Sequence, residues 1–184
     1  MSILNKCDKK DFPFDWVNLD SLPDSNGKRL EIYLLEEEGH LEGLILMFYT
    51  LFGDLKHGIK IYDKLWWDFC WDTWNIHEDS YDYSLEGKSS ESKAYLTMLE
   101  KSGIEMGYSG SITCTDWDYF LPIILACILT HQAPYSPHFY NTENNFFFYF
   151  HHTGSIGFYY QSDNEIIHKL LDTANEEYEL IRRN

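Results

Sequence analysis

The second half of the chain gathers the side chains best suited to chemistry. His131, His138 and the adjacent pair His151 and His152 all fall within it. A neutral imidazole is both a general base and a common metal ligand. Adjacent residues on a strand point to opposite faces, so one ion cannot easily take both His151 and His152. His131 and His138 could still converge with one of that pair. Against this stands the absence of a His-x-x-x-His pair or a His-Glu-x-x-His motif. The plainer alternative is a histidine satisfied beside a hairpin turn, so no metal is expected.

Nucleophilic catalysis would need Cys114 or Ser155 beside a histidine. Gly154-Ser155-Ile156-Gly157 is not the Gly-x-Ser-x-Gly turn that exposes a nucleophile. Asp116 with Asp118, or Glu78 with Asp79, offers the paired carboxylates of acid–base work. A chain with 30 acidic residues in 184 produces such pairs by chance. Gly103, Gly107 and Gly110 are too loosely spaced for a phosphate loop and lie among acids. No catalytic residue, no cofactor and no enzymatic activity are expected.

A concentration of acidic and aromatic residues remains. From Leu65 to Gly87 there is no lysine or arginine, yet four tryptophans and six carboxylates. Asp68, Trp71, Asp72, Glu78, Asp79, Tyr81, Asp82 and Tyr83 set carboxylates beside large flat side chains. Trp and Tyr dominate interface hot spots, and an acidic rim suits Lys or Arg on a partner. These eight are the candidate partner-binding residues. The plainer alternative is that the tryptophans fill the core and the acids are merely solvated. Trp66 and Trp74 stay open between core and surface, whereas 78–82 is expected to be exposed.

The elements that must position these residues are expected as follows. Pro13, Pro23 and Asp24-Ser25-Asn26-Gly27 make the first thirty residues turn-rich. Glu31–Leu35 reads as a short strand and Glu42–Leu55 as a mostly apolar helix weakened by Gly43 and Gly53. Ile59–Trp74 reads as a helix apolar almost all round, with a narrow polar strip at Lys64, Asp68 and Asp72. Asn75–Ser90 is an acidic loop. Ser90–Lys101 is a short helix ended by Gly103, and Ser111–Cys114 has strand character. Pro122 fits the first turn of a helix from about Leu121 to His131, with Thr115 and Asp118 at its start. Asn145–Tyr160 carries the strongest β signal, an aromatic hairpin turning at His152-Thr153-Gly154-Ser155. Such a sheet is covered on both faces, or covered on one and binding with the other. Ser162-Asp163-Asn164-Glu165 matches a capping box, and the helix after it runs to Arg182 and Arg183 at its dipole-complementing end. The expectation is an α+β single domain over residues 1–184. It is mostly helical, with a C-terminal aromatic hairpin or small antiparallel sheet and a closing amphipathic helix.

The totals narrow the partners. Net charge is -16 and pI about 4.7, and Ser102–His168 also lacks lysine and arginine. Such a field repels nucleic acid and anionic lipid and steers basic partners during encounter. An aromatic content of 17% excludes a disordered acidic tail. Cys7, Cys70, Cys114 and Cys127 are widely spaced and form no Cys-x-x-Cys pair, which favours a reducing compartment over a disulfide scaffold. Met1–Val17 lacks a signal-peptide core. The run Leu121–Leu129 falls short of the about 20 residues a bilayer span needs. No membrane association and a cytoplasmic location are expected.

In general character, a small, very acidic, aromatic-rich domain without an active-site motif, the chain resembles the immunity proteins of bacterial contact-dependent growth inhibition systems. Asp116-Trp117-Asp118-Tyr119-Phe120-Leu121-Pro122 and the run Asn145–Tyr160 are similar to segments of such proteins. The resemblance carries no binding residues with it. It implies stoichiometric neutralisation of one cognate toxin domain, a basic protein such as a nuclease, by occluding its active site or substrate path. Two alternatives stand beside it: a nucleic-acid mimic blocking a DNA-binding enzyme, and a metal-dependent hydrolase built on the hairpin histidines.

Overall fold

The computed structural model describes residues 2–35 and 40–183. Strands drawn from the whole length of the chain build its frame. They are β1 (Leu4–Lys6), β2 (Lys28–Tyr33), β3 (Lys60–Asp63), β6 (Gly110–Cys114), β7 (His138–Asn141), β8 (Phe146–His151), β9 (Ser155–Tyr160) and β10 (Glu179–Arg183). They form an eight-stranded sheet in the order β1-β6-β3-β7-β8-β9-β2-β10, antiparallel throughout. A separate two-stranded ribbon pairs β4 (Trp74–Asn75) with β5 (Ser80–Tyr81). Four helices complete the chain: α1 (His40–Phe52), α2 (Ser90–Lys101), α3 (Trp117–Leu129) and α4 (Glu165–Glu177). The expected mostly helical domain with a small C-terminal hairpin is therefore wrong. The molecule is a large, mainly antiparallel sheet carrying four helices.

Side-chain alternation along β8 and β9 explains why the sheet is buried on both sides. Phe146, Phe148, Phe150, Ile156, Phe158 and Tyr160 point into the main core with the helices. Phe52 of α1 lies flat on Phe148, ring centroids 4.0 Å apart. Phe147 and Tyr159 point the other way and stack on each other at 4.7 Å. There the turn-rich N-terminal segment covers them, with Phe12, Phe14, Trp16 and Leu22 forming a second small core. Trp16 is pinned by its indole N–H donating to Asn145 Oδ1 at 2.9 Å. Gly157 faces Tyr149 across the strand pair; a Cβ there would collide with the ring that lies over it.

Three element readings needed correction. Ile59–Trp74 is not a helix. Ile61 and Asp63 are buried while Lys60 and Tyr62 are half-buried, an alternation that suits β3. Asp63 Oδ1 then accepts the Leu65 N–H at 2.8 Å, an Asx turn that ends the strand. Short 3-10 turns follow at Trp66–Asp68 and Trp71–Thr73. Their geometry is fixed by distant carbonyls: Trp66 Nε1 donates to Gly110 O at 2.8 Å and Trp67 Nε1 to Ile104 O at 3.0 Å. The closing helix stops at Glu177, Tyr178 is extended, and Glu179–Arg183 pairs with β2 as an edge strand. α3 starts at Trp117, where Asp116 accepts the Tyr119 N–H, so Pro122 lies inside the helix rather than in its first turn.

The other readings differ in bounds. α2 spans 90–101 as expected, capped by Ser89, and Gly103 follows it with φ +67°. α1 ends at Phe52 and passes into a 3-10 turn. α4 is capped by Asn164, which accepts the Ile167 N–H. All four cysteines are free thiols. Cys70 and Cys127 touch in the core, Sγ to Sγ 3.9 Å.

Candidate partner-binding surface

The segment between β3 and α2 has a buried base and an exposed crown. Trp66, Trp67, Phe69, Cys70 and Thr73 form the base. Trp71 N–H donates to Gln132 O at 2.7 Å and Asp82 N–H to Thr73 O at 2.7 Å, which tie both arms of the excursion down. The β4–β5 ribbon rises from this base. Asn75 Oδ1 accepts the His77 and Glu78 N–H groups at 3.0 and 3.4 Å. Asp79 takes a left-handed φ of +52° to close the turn, a conformation that aspartate tolerates better than most residues.

The eight predicted residues divide in two. Trp71, Glu78, Asp79 and Tyr81 are exposed. Asp68, Asp72, Asp82 and Tyr83 are half-buried and hold the ribbon in place. Tyr83 Oη donates to the Asp68 carboxylate. Asp72 Oδ2 accepts the Ser89 N–H at 2.9 Å. Asp82 accepts from the Ser84 N–H and hydroxyl at 2.8 and 2.9 Å and pairs with Lys88 at 3.6 Å. Its pKa lies below the ordinary carboxylate value, chiefly through the Ser84 bonds. Neither Glu78 nor Asp79 has an ion-pair partner among the described residues.

The crown is more apolar than the sequence suggested. Ile76 is 78% exposed and Trp71 62%. Trp74 is also exposed, packed edge-on against Tyr81 at 4.9 Å, while Trp66 is fully buried. Ile76 was missed because it is isolated in a polar loop. Its neighbours Asn75 and His77 gave the only signal, since an isoleucine at a tight turn has no core to enter.

Histidine chemistry is only partly assembled. His131, His151 and His152 converge, with ring centroids 4.7 Å apart for 131–152 and 4.2 Å for 151–152. His138 is not with them; it packs on Phe12 and Phe147. Among the described residues no three His, Cys, Asp or Glu side chains are arranged to hold a metal. Burial pushes the Cys114 thiol up to about 12, far from a nucleophile. Ser155 is buried. Asp116 caps α3 and Asp118 accepts the Tyr49 hydroxyl at 2.5 Å.

A cleft of about 560 Å³ lies elsewhere, at the edge of the sheet where β3 stops and β7 begins. Tyr62, Asp63, Tyr135, His138 and Tyr149 are among the residues that line it. Burial raises the Asp63 carboxyl to about 6. Burial, helped by the charge on Lys64, lowers the His138 imidazole to about 4.

No family model, curated protein or solved structure matches the chain. Among the described residues no helix is long and apolar enough to cross a membrane.

Proposed function

We propose that this protein is an immunity protein. It binds and neutralises one cognate bacterial toxin domain, a basic protein such as a nuclease, in the cytoplasm, and performs no catalysis of its own. The observation that carries the reading is the crown of the β4–β5 ribbon, where Trp71, Trp74, Ile76 and Tyr81 are exposed beside Glu78 and Asp79, whose carboxylates have no ion-pair partner among the described residues. Large apolar side chains at such a turn add nothing to the core, yet they match the composition of interface hot spots. A net charge of -16 accelerates encounter with a surface that grips phosphate through Lys and Arg. On the toxin, this surface covers the active site or the path to it.

The test is co-purification of the tagged protein from its source cell, with low-salt and high-salt washes and mass spectrometry of what remains. One basic protein at equal stoichiometry, lost when Trp71 and Ile76 are changed to serine, is the expected result. Retention of many unrelated DNA-binding proteins, competed off by duplex DNA, would point to a nucleic-acid mimic instead. No retained partner, and no protection from a toxin encoded alongside, would end the proposal.

A further inference from the structure

We infer that the cleft at the junction of β3 and β7 is a binding site for an organic cation, a guanidinium or alkylammonium group on a short aliphatic arm, with Asp63 as its counter-ion. The inference goes beyond the toxin-binding reading and does not depend on it. The cleft volume, about 560 Å³, lies in the range of small-molecule sites. Asp63 is 4% exposed at its wall. Its Oδ1 accepts the Leu65 N–H at 2.8 Å and the Tyr135 hydroxyl at 3.4 Å. The Lys64 N–H also acts on the carboxylate, yet Oδ2 makes no hydrogen bond of good geometry among the described residues.

Among the described residues no cation pairs with this carboxylate. Lys64 follows it in sequence and also lines the cleft, but its ammonium reaches toward Asp20 at 3.8 Å. The charge of Asp68 also acts on Asp63, and it is of the same sign. An unpaired buried carboxylate is costly to keep, and an incoming cation removes that cost.

The walls suit the same ligand. Tyr62, Tyr135 and Tyr149 bring electron-rich rings to the cleft, and none of the three is fully buried. Such rings attract a cation, guanidinium above all. His138 pairs across the strands with Tyr62 and lies 6.4 Å from the Tyr149 ring. Its low pKa keeps it uncharged at neutral pH, so it adds a further ring and no repulsion. An anion would meet Asp63 head-on, and a neutral ligand could at most donate a hydrogen bond and would leave the buried charge uncompensated.

Calorimetric titration of the intact protein with agmatine at neutral pH tests the site, with N-butylurea as a neutral control of similar shape. Agmatine is expected to bind one-to-one with shifts in the Tyr135 and Tyr149 ring resonances, and Asp63→Asn to weaken it at least about tenfold. The amide keeps the side-chain shape, and circular dichroism checks the fold of the variant. Acetyl-Gly-Arg-Gly-amide separates two sources of the ligand. If it binds as agmatine does, the site accepts an arginine side chain of a protein; if only agmatine binds, the ligand is a free small cation. The inference is overturned if neither binds the wild-type protein, if N-butylurea binds as well as agmatine, or if Asp63→Asn leaves agmatine affinity unchanged.

Discussion

Asp63 and His138 lie on the same cleft and titrate in opposite senses. The folded carboxyl sits near 6 against an ordinary 3.8, so the folded state binds the proton more readily. Its burden is absent below about pH 4 and grows as pH rises to about 6. The folded imidazole sits near 4 against an ordinary 6.5. There the unfolded state binds the proton more readily, so stability falls on acidification from about pH 6.5 to 4. The two nearly cancel in the wild-type protein. Asp63→Asn is therefore expected to raise stability by about 2–3 kcal/mol at neutral pH, measured by urea denaturation, and to lose that gain steadily on acidification. His138→Phe is expected to show the reverse slope. At the crown, Glu78→Lys with Asp79→Asn, which keeps a residue suited to the left-handed turn, is expected to slow association with a basic partner by about tenfold at low salt without changing stability. Stopped-flow mixing at low and high salt reads this, and the difference shrinks as salt screens the charges. Asp82→Lys is a poorer probe, because Asp82 braces the ribbon through Ser84 and Lys88. In the core, Phe148→Ala removes a ring stacked on Phe52 at 4.0 Å and is expected to cost about 3–5 kcal/mol in the same denaturation experiment.

At the scale of elements, what was legible in the sequence followed from local rules. The β8–β9 hairpin announced itself by an aromatic run, a turn and a return. α2 was legible from Ser90 to Lys101 with Gly103 ending it, and the Ser89 cap and left-handed Gly103 that the structure shows are both local features. β3 was not legible as a strand, because four residues of alternation were overwhelmed by the tryptophans that follow. Those tryptophans take their place from Gly110 and Ile104, some forty residues on. β10 was hidden for a related reason. Its apolar residues continue the helical spacing of α4, and only pairing with β2 makes them a strand. Of the eight candidate binding residues, Glu78, Asp79 and Tyr81 stood out by loop context and Trp71 by type alone, and the supporting four could not be told from them without the hydrogen bonds. The covering of Tyr159 and Phe147 by the N-terminal segment was likewise beyond local patterns. Gly157→Val tests how tightly that face is fitted. It is expected to displace the Tyr149 ring and cost about 1–3 kcal/mol, read as a lowered urea midpoint.

The whole molecule holds its charge of -16 on a well-packed body, so self-repulsion opposes folding. Raising ionic strength from about 0.01 to 0.15 M shortens the screening length from about 30 to 8 Å. The midpoint of thermal unfolding is expected to rise by roughly 2–4 °C, worth about 1 kcal/mol for a chain of this length. The sheet order has a further consequence. β2 sits between β9 and β10, two strands synthesised long after it. A growing chain that has reached α3 therefore carries β2 with neither neighbour, and its inward-facing Leu30 and Ile32 have no sheet to join. Lys28, Arg29 and Glu31 break up that stretch with charge, as gatekeepers do beside an exposed apolar strand. β2 can take its place only after residues 155–183 have been made, so its pairing is a late step however early the strand itself emerges.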